Sequence, residues 1–143
     1  MSKLCIPHLL KSENPHILNL SPPLDMDPLW FQGSLAYTMA KFNMSMCVLG
    51  MAAEYSGKIA VNALWPRTAI RTAAVANVLG GQEMYDKSRK PEIMSDAAHI
   101  ILNKDHKTFS GNFLIDDSLL AEHGETDFSL SLIHISEPTR PSI

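Results

Sequence analysis

Cysteine is scarce. Cys5 and Cys47 are the two in 143 residues, too few and too far apart for a disulfide framework or a metal-binding repeat. They read as buried small apolar groups in a reducing compartment. An excess of either charge is also lacking: 12 Lys and Arg stand against 15 Asp and Glu, a net charge of −3. Nothing there calls for nucleic acid or an anionic membrane as partner. There is no apolar run of about twenty residues, so no membrane span is expected. Met1-Ser2-Lys3-Leu4-Cys5-Ile6-Pro7 lacks the apolar core of a signal peptide and reads as the end of a helix. His8, His16, His99, His106 and His123 form no His-x-x-x-His pair and no pairing with cysteine, so no metal site is expected. Asp116, Asp117, Glu122 and Glu125 lack the spacing and glycine of a calcium loop and read as a solvated acidic end. No serine sits in a Gly-x-Ser-x-Gly elbow. No Gly-x-x-x-Gly-x-Gly turn occurs near the start, and the adjacent pair Gly80-Gly81 follows a helix pattern rather than a strand.

What is present is an ordinary globular composition, 45% hydrophobic and 19% charged, sufficient for one domain. Leu4, Leu9, Leu10 and Lys11 read as a closing helix, with Pro7 near its end. His16–Ser21 is a short apolar run without alternation, which suits a buried parallel strand. Pro22 and Pro23 stop it. A loop to Gly33 carries Leu29, Trp30 and Phe31, either covering a ligand site or packing on the body. Ser34 is placed to cap a helix over Leu35–Tyr55, and Ser56-Gly57 ends it. The four methionines from Met39 to Met51 read as core or interface packing. Lys58–Trp65 is a second buried strand, closed by Pro66. Thr68–Val78 reads as helical. Pro91 opens an amphipathic helix to Leu102, and Phe109–Asp116 is a third strand. Strand, long helix, strand is the pattern of a parallel crossover.

The long helix contains Tyr37-Thr38-Met39-Ala40-Lys41. Residues four apart share a helix face. A free phenol is a poor acid or base near neutrality, and an adjacent ammonium favours its ionised form. Such a pair works as one proton-transfer unit; a surface cation–aromatic pair is the plainer alternative.

Four features in this order resemble the short-chain dehydrogenase/reductase family. They are a strand ending Asn19-Leu20-Ser21, Tyr37-x-x-x-Lys41 on the next helix, a strand ending Val61–Pro66 followed by Thr72, and the helix from Pro91 leading to Phe109–Asp116. The resemblance runs over about residues 2–128. It implies an α/β fold, a partial Rossmann-like (doubly wound, parallel sheet) domain represented by its last three strands and their helices. The glycine-rich phosphate cradle, the residue that reads the adenosine ribose and the active-site asparagine would lie upstream. It further implies a part of an NAD(P)-dependent oxidoreductase acting on a carbonyl or alcohol of a lipid-like (steroid or fatty-acyl) substrate, with NADP or NAD as cofactor. Alternatives are a non-catalytic relative that binds a lipid or a partner, and a truncated product without activity of its own. Homo-oligomerisation through the Tyr37 helix and a peroxisomal or mitochondrial location are implied in the same way.

Within the resemblance, Tyr37 donates the proton in reduction and accepts it in oxidation. Lys41 tunes that phenol and bonds the nicotinamide ribose. Pro66, Ile70 and Thr72 meet the cofactor. The family's substrate-binding serine is replaced by Pro22, with Ser21 one residue earlier, where strand alternation turns it the other way. Ser21 is the third catalytic candidate on those terms, and Ser34 is near enough to contribute. The usual Pro-Gly is Pro66-Arg67, and the step to Thr72 is one residue longer. Arg67 and Arg71 suit an anionic substrate or form a solvated basic edge.

Residues 129–143 are set apart. Leu130–Arg140 reads as the translation of a transposase-type sequencing adapter, so the tail is expected to be non-native and outside the fold.

Overall fold

A computed structural model of the chain describes residues 1–125 and Phe128. The tail from 129 onward, expected above to be non-native, lies outside the described residues. Three parallel strands, β1 (His16–Leu20), β2 (Ala60–Trp65) and β3 (Phe113–Ile115), form a sheet in the order β1-β2-β3. Five α-helices lie among the described residues: α1 (Ser2–Leu9), α2 (Leu35–Glu54), α3 (Gly81–Lys87), α4 (Glu92–Leu102) and α5 (Asp116–Glu122). A 3-10 turn at Pro28–Trp30 and a π-helical turn at Val75–Leu79 lie between them. The expected α/β architecture with a parallel sheet is the observed one.

The chain divides into two compact units. The first comprises Met1–Trp65 and Ala98–Ile115, and so holds the whole sheet. Its centre is β2, in which every residue from Ala60 to Leu64 is buried. This is why that strand reads as a continuous apolar run rather than an alternating one. β1 pairs with it from His16↔Ala60 to Leu20↔Leu64, and β3 from Ala63↔Phe113 to Trp65↔Ile115. Val48, Ile59, Val61 and Ala63 form the core, packed by Ile6, Leu9, Ile17, Met51, Ala52, Tyr55 and Phe113. α2 therefore buries one stripe, Thr38, Phe42, Ser45 and Val48, and leaves Met39, Met44, Met46 and Leu49 outside. After α2, Gly57 adopts φ +69°, while the Lys58 and Ile59 amides donate back to the Tyr55 carbonyl. Glycine takes that left-handed turn without a Cβ clash.

The third strand is shorter than its sequence suggests. Residues 109–112 are joined to β2 by two backbone bonds, Gly111 N–H to the Val61 carbonyl (2.8 Å) and Ala63 N–H to the Asn112 carbonyl (2.8 Å), and by side chains beside them. Val61 N–H donates to Ser110 Oγ (3.0 Å), and Asn62 Nδ2 donates to the Phe109 carbonyl (2.9 Å). The Asn112 amide donates to Asn62 Oδ1 (3.0 Å). Gly111 at φ +80° cannot continue a strand.

The second unit comprises residues 66–97 and the chain from Asp116. Here the helix expected over Thr68–Val78 starts late. Residues 69–71 are extended, with Ile70 bridged to Arg89, the Arg89 amide donating to Ala69 (2.9 Å) and the Arg71 amide to Arg89 (2.9 Å). Thr72 Oγ1 accepts from Val75 N–H (3.3 Å), a side-chain cap that allows helical winding only after it. The acidic end is also corrected. Asp116 is fully buried, not solvated, and its Oδ1 accepts from the Arg67 (2.9 Å) and Asp117 (2.8 Å) amides, opening α5.

Candidate functional site

The C-terminal ends of parallel strands are where α/β sheets bind ligands. β1 ends at Leu20 and β2 at Trp65. Both ends hold the same side chain. Lys41 Nζ donates to the Leu20 carbonyl (3.0 Å) and lies 5.3 Å from the centroid of the Trp65 ring. The carbonyl takes one of the three ammonium protons, so two remain for a ligand. Tyr37 is one helical turn earlier, 55% exposed, and its hydroxyl has no partner among the described residues. An exposed phenol and a tethered ammonium on one face are thus presented at the binding end of the sheet. Sequence reasoning found the pair and missed its anchors. The available signal was Trp65, the strand's last residue before a proline.

Ser21 is placed differently. It is 0% exposed, and its Oγ has no hydrogen-bond partner among the described residues. Leu20 beside it is exposed, as strand alternation requires. In this structure the Ser21 hydroxyl is enclosed. Ser34 forms no side-chain cap on α2; its Oγ pairs with Thr38 Oγ1 (3.3 Å), which in turn donates to the Trp30 carbonyl (2.5 Å). Ser45 Oγ donates to the Pro22 carbonyl (2.6 Å). Every hydroxyl near the start of α2 except that of Tyr37 is therefore either enclosed or used to hold the β1–α2 loop.

Pro66, Ile70 and Thr72 belong to the second unit. Pro66 and Ile70 are half-buried, and Thr72 is exposed with its Oγ1 occupied as a cap. The basic edge in this unit is engaged. Arg67 Nε contacts both carboxylate oxygens of Asp117 (2.8 and 2.7 Å), and Nη2 donates to Ser118 Oγ (2.6 Å). Arg71 donates to the carbonyls of Tyr85 (3.1 Å) and Asp86 (2.7 Å) and stacks on the Tyr85 ring. These bonds hold the unit together and leave little reason to read the two arginines as an anion-binding pair. Among the described residues no cluster of metal-ligating side chains occurs, and no helix is long and apolar enough to cross a membrane.

The nicotinamide group that goes with this fold can be tested against these residues. Two spare ammonium protons and an unpartnered phenol suit ribose hydroxyls and a reacting oxygen. Among the described residues no glycine-rich turn joins a strand to a helix N-terminus, so those residues supply no pyrophosphate cradle.

Parallel strands, the crossover helix and the Tyr–Lys face are the features on which this chain is similar to short-chain dehydrogenases. It is 57% identical over 140 residues to hydroxysteroid dehydrogenase-like protein 2 of Danio rerio, and 52% identical over the same length to that of Homo sapiens. Each match covers 98% of the chain, which spans 33% of the length of these relatives. A dehydrogenase structure from Xanthomonas campestris superposes with a TM-score of 0.85 at 46% identity, covering 92% of this chain and 48% of that one. A short-chain dehydrogenase from Mycobacterium thermoresistibile gives 0.79 at 48%, covering 91% and 46%. No family model matches the chain.

Proposed function

We propose that this chain carries the proton-transfer half of an NAD(P)-dependent oxidoreductase acting on a carbonyl or alcohol of a lipid-like substrate. One observation carries the reading: Lys41 is fixed to the ends of both β1 and β2, on the helix face that presents Tyr37. The nicotinamide, when bound, supplies or accepts the hydride. Tyr37 Oη gives a proton to the substrate oxygen in reduction and takes it back in oxidation. Lys41, with its tether to Leu20 leaving two protons free, steadies the phenolate and holds the nicotinamide ribose; Pro66, Ile70 and Thr72 meet the cofactor as the resemblance implies. Pro22 has no hydroxyl and Ser21 is enclosed, so Tyr37 is the substrate oxygen's side-chain donor. The exposed apolar residues beside the helix support a lipid-like substrate. The outward methionines of α2 support self-association through that helix, and a peroxisomal or mitochondrial setting follows the resemblance.

The test uses the full-length polypeptide that contains this chain, assayed with medium- and long-chain carbonyl compounds and either nicotinamide cofactor. Tyr37→Phe is expected to reduce turnover roughly 10²- to 10⁴-fold, the usual worth of a positioned acid–base group. Turnover that survives the change, or none in the parent, rejects the reading and favours a non-catalytic lipid- or partner-binding role.

A further inference from the structure

The connection from Ser21 to Ser34 bonds its polar groups to one another and to α2, and leaves Met26, Leu29 and Trp30 in solvent. Asp25 Oδ2 accepts from Trp30 Nε1 (2.9 Å), and Asp25 Oδ1 accepts from the Asp27 amide (3.0 Å). Asp27 Oδ1 accepts from the Leu29 amide (2.9 Å) and caps the 3-10 turn. The Trp30 carbonyl is held by Thr38, the Pro22 carbonyl by Ser45, and the Phe31 ring meets Phe42 edge-on at 5.3 Å. Three prolines, Pro22, Pro23 and Pro28, remove backbone freedom. The loop is thus fastened at both ends and across its middle. Yet Met26 is 73% exposed, Leu29 68% and Trp30 54%. Burying such side chains is favourable, and a loop that only connected two elements gains nothing by holding them in water. An apolar surface ordered in advance is what lowers the cost of binding an apolar ligand.

Its position ties it to the catalytic helix. Thr38, which holds Trp30, directly follows Tyr37, and Lys41 holds the carbonyl of Leu20, the residue that leads into the loop. The charged residues between Leu20 and Ser34 are Asp25 and Asp27. Two carboxylates disfavour an anionic membrane surface or a phosphorylated ligand end and suit a neutral chain. We propose that Met26, Leu29 and Trp30 form the rest for the uncharged apolar tail of the substrate, and that Trp30, pinned by Asp25, sets which tail lengths are accepted. The proposal rests on the oxidoreductase reading above and names the part of the substrate that this loop selects.

The experiment compares n-alkyl aldehydes of short and long chain in the full-length polypeptide. Trp30→Ala is expected to raise KM for the long aldehyde roughly tenfold, with kcat held within about twofold and the short aldehyde unaffected. Trp30→Phe keeps most of the ring area but loses the clip to Asp25, and should fall between. Equal losses on both aldehydes, or no change on either, overturn the proposal. A second readout needs no turnover: a brominated long-chain alcohol should quench tryptophan fluorescence more in the parent than in Trp30→Phe. Quenching that is the same in both overturns the proposal. Quenching that depends on Trp30 in a parent without aldehyde turnover supports the apolar rest and rejects the oxidoreductase reading. Trp30-dependent binding to anionic vesicles without any dependence on tail length overturns it in favour of a membrane.

Discussion

Two long segments of the first unit, residues 22–34 after β1 and residues 103–112 before β3, are both fastened by hydrogen bonds, and to opposite effect. The segment before β3 bonds within itself at Asp105 (Lys107 N–H to Asp105 Oδ1, 2.9 Å) and is held besides by β2 and by the turn before β1. Asn14 Nδ2 donates to the carbonyls of Leu102 (3.3 Å) and Lys104 (3.1 Å), and Asn14 Oδ1 accepts from the His106 amide (3.1 Å). His16 Nε2 donates to the same Lys104 carbonyl (3.0 Å). Asn62 and Val61 take the far end. Its Lys104 and Phe109 carbonyls and its His106 amide are used in anchoring, and its apolar Phe109 is half-buried. The segment after β1 is fastened by its own aspartates and by hydroxyls of α2, and it keeps a row of apolar side chains in solvent. Ordering with burial is structural; ordering without burial is what a surface needs if it is to receive something.

The comparison breaks most sharply at the two ends of the sheet. Lys41→Met removes the ammonium that joins β1, β2 and the Tyr37 face. In the full-length polypeptide it is expected to cost at least about 10² in kcat, with a modest fall in Tm, because the lost cation–π contact is worth about 0.5–1 kcal/mol where solvent reaches it. Steady-state kinetics beside a thermal melt separates the two, and a variant with near-normal kcat rejects the assignment. Asn62→Ala does the reverse. It strands the Phe109 carbonyl and the Asn112 amide and should destabilise by about 2–4 kcal/mol. The folded fraction should retain normal KM. A chemical-denaturation midpoint within error of the parent would show that the segment before β3 is not anchored as described.

Much of this was legible in the sequence because one signal dominated. The central strand is apolar from Ile59 to Leu64 except at Asn62, and the helix before it carries its buried stripe at helical spacing, so sheet, crossover and the Tyr37–Lys41 face are legible from the pattern alone. The failures share a cause. Phe109–Asn112 looks like strand, but Gly111 turns it at positive φ, and the Asn62 and Ser110 side chains take bonds that a regular ladder would make. Asp116 looks solvent-bound by composition, yet two backbone amides in the second unit demand its carboxylate. The tether of Lys41 to Leu20 and Trp65, and the clip of Trp30 to Asp25, depend on pairings between residues 5 to 24 apart in the chain, which no periodicity reports. Ser21 shows the converse: alternation did place it on the enclosed side of β1.

The smallest expected effect distinguishes the two segments by pH. In the segment before β3, burial of His16 holds its imidazole below the ordinary value of 6.5; the bond to the Lys104 carbonyl opposes this, and the nearby His106 adds to it. Its Nδ1 is buried without a partner among the described residues, so the added proton has nowhere to go. The folded state therefore favours the neutral ring. The stability this contributes is complete above the unfolded value and is lost as pH falls through the folded one. In the segment after β1, the Asp27 amide, then the Trp30 indole, hold the Asp25 carboxyl below its ordinary 3.8. Stability from Asp25 is present above that value and disappears only as pH falls below it. Melts of the full-length polypeptide from about pH 7.5 to about pH 5 should thus show a decline that His16→Gln flattens, since glutamine can donate to Lys104 without titrating, and that Asp25→Asn leaves unchanged. A decline identical in parent and His16→Gln would mean that another group carries it. A decline removed by Asp25→Asn instead would reverse the assignment of the two segments.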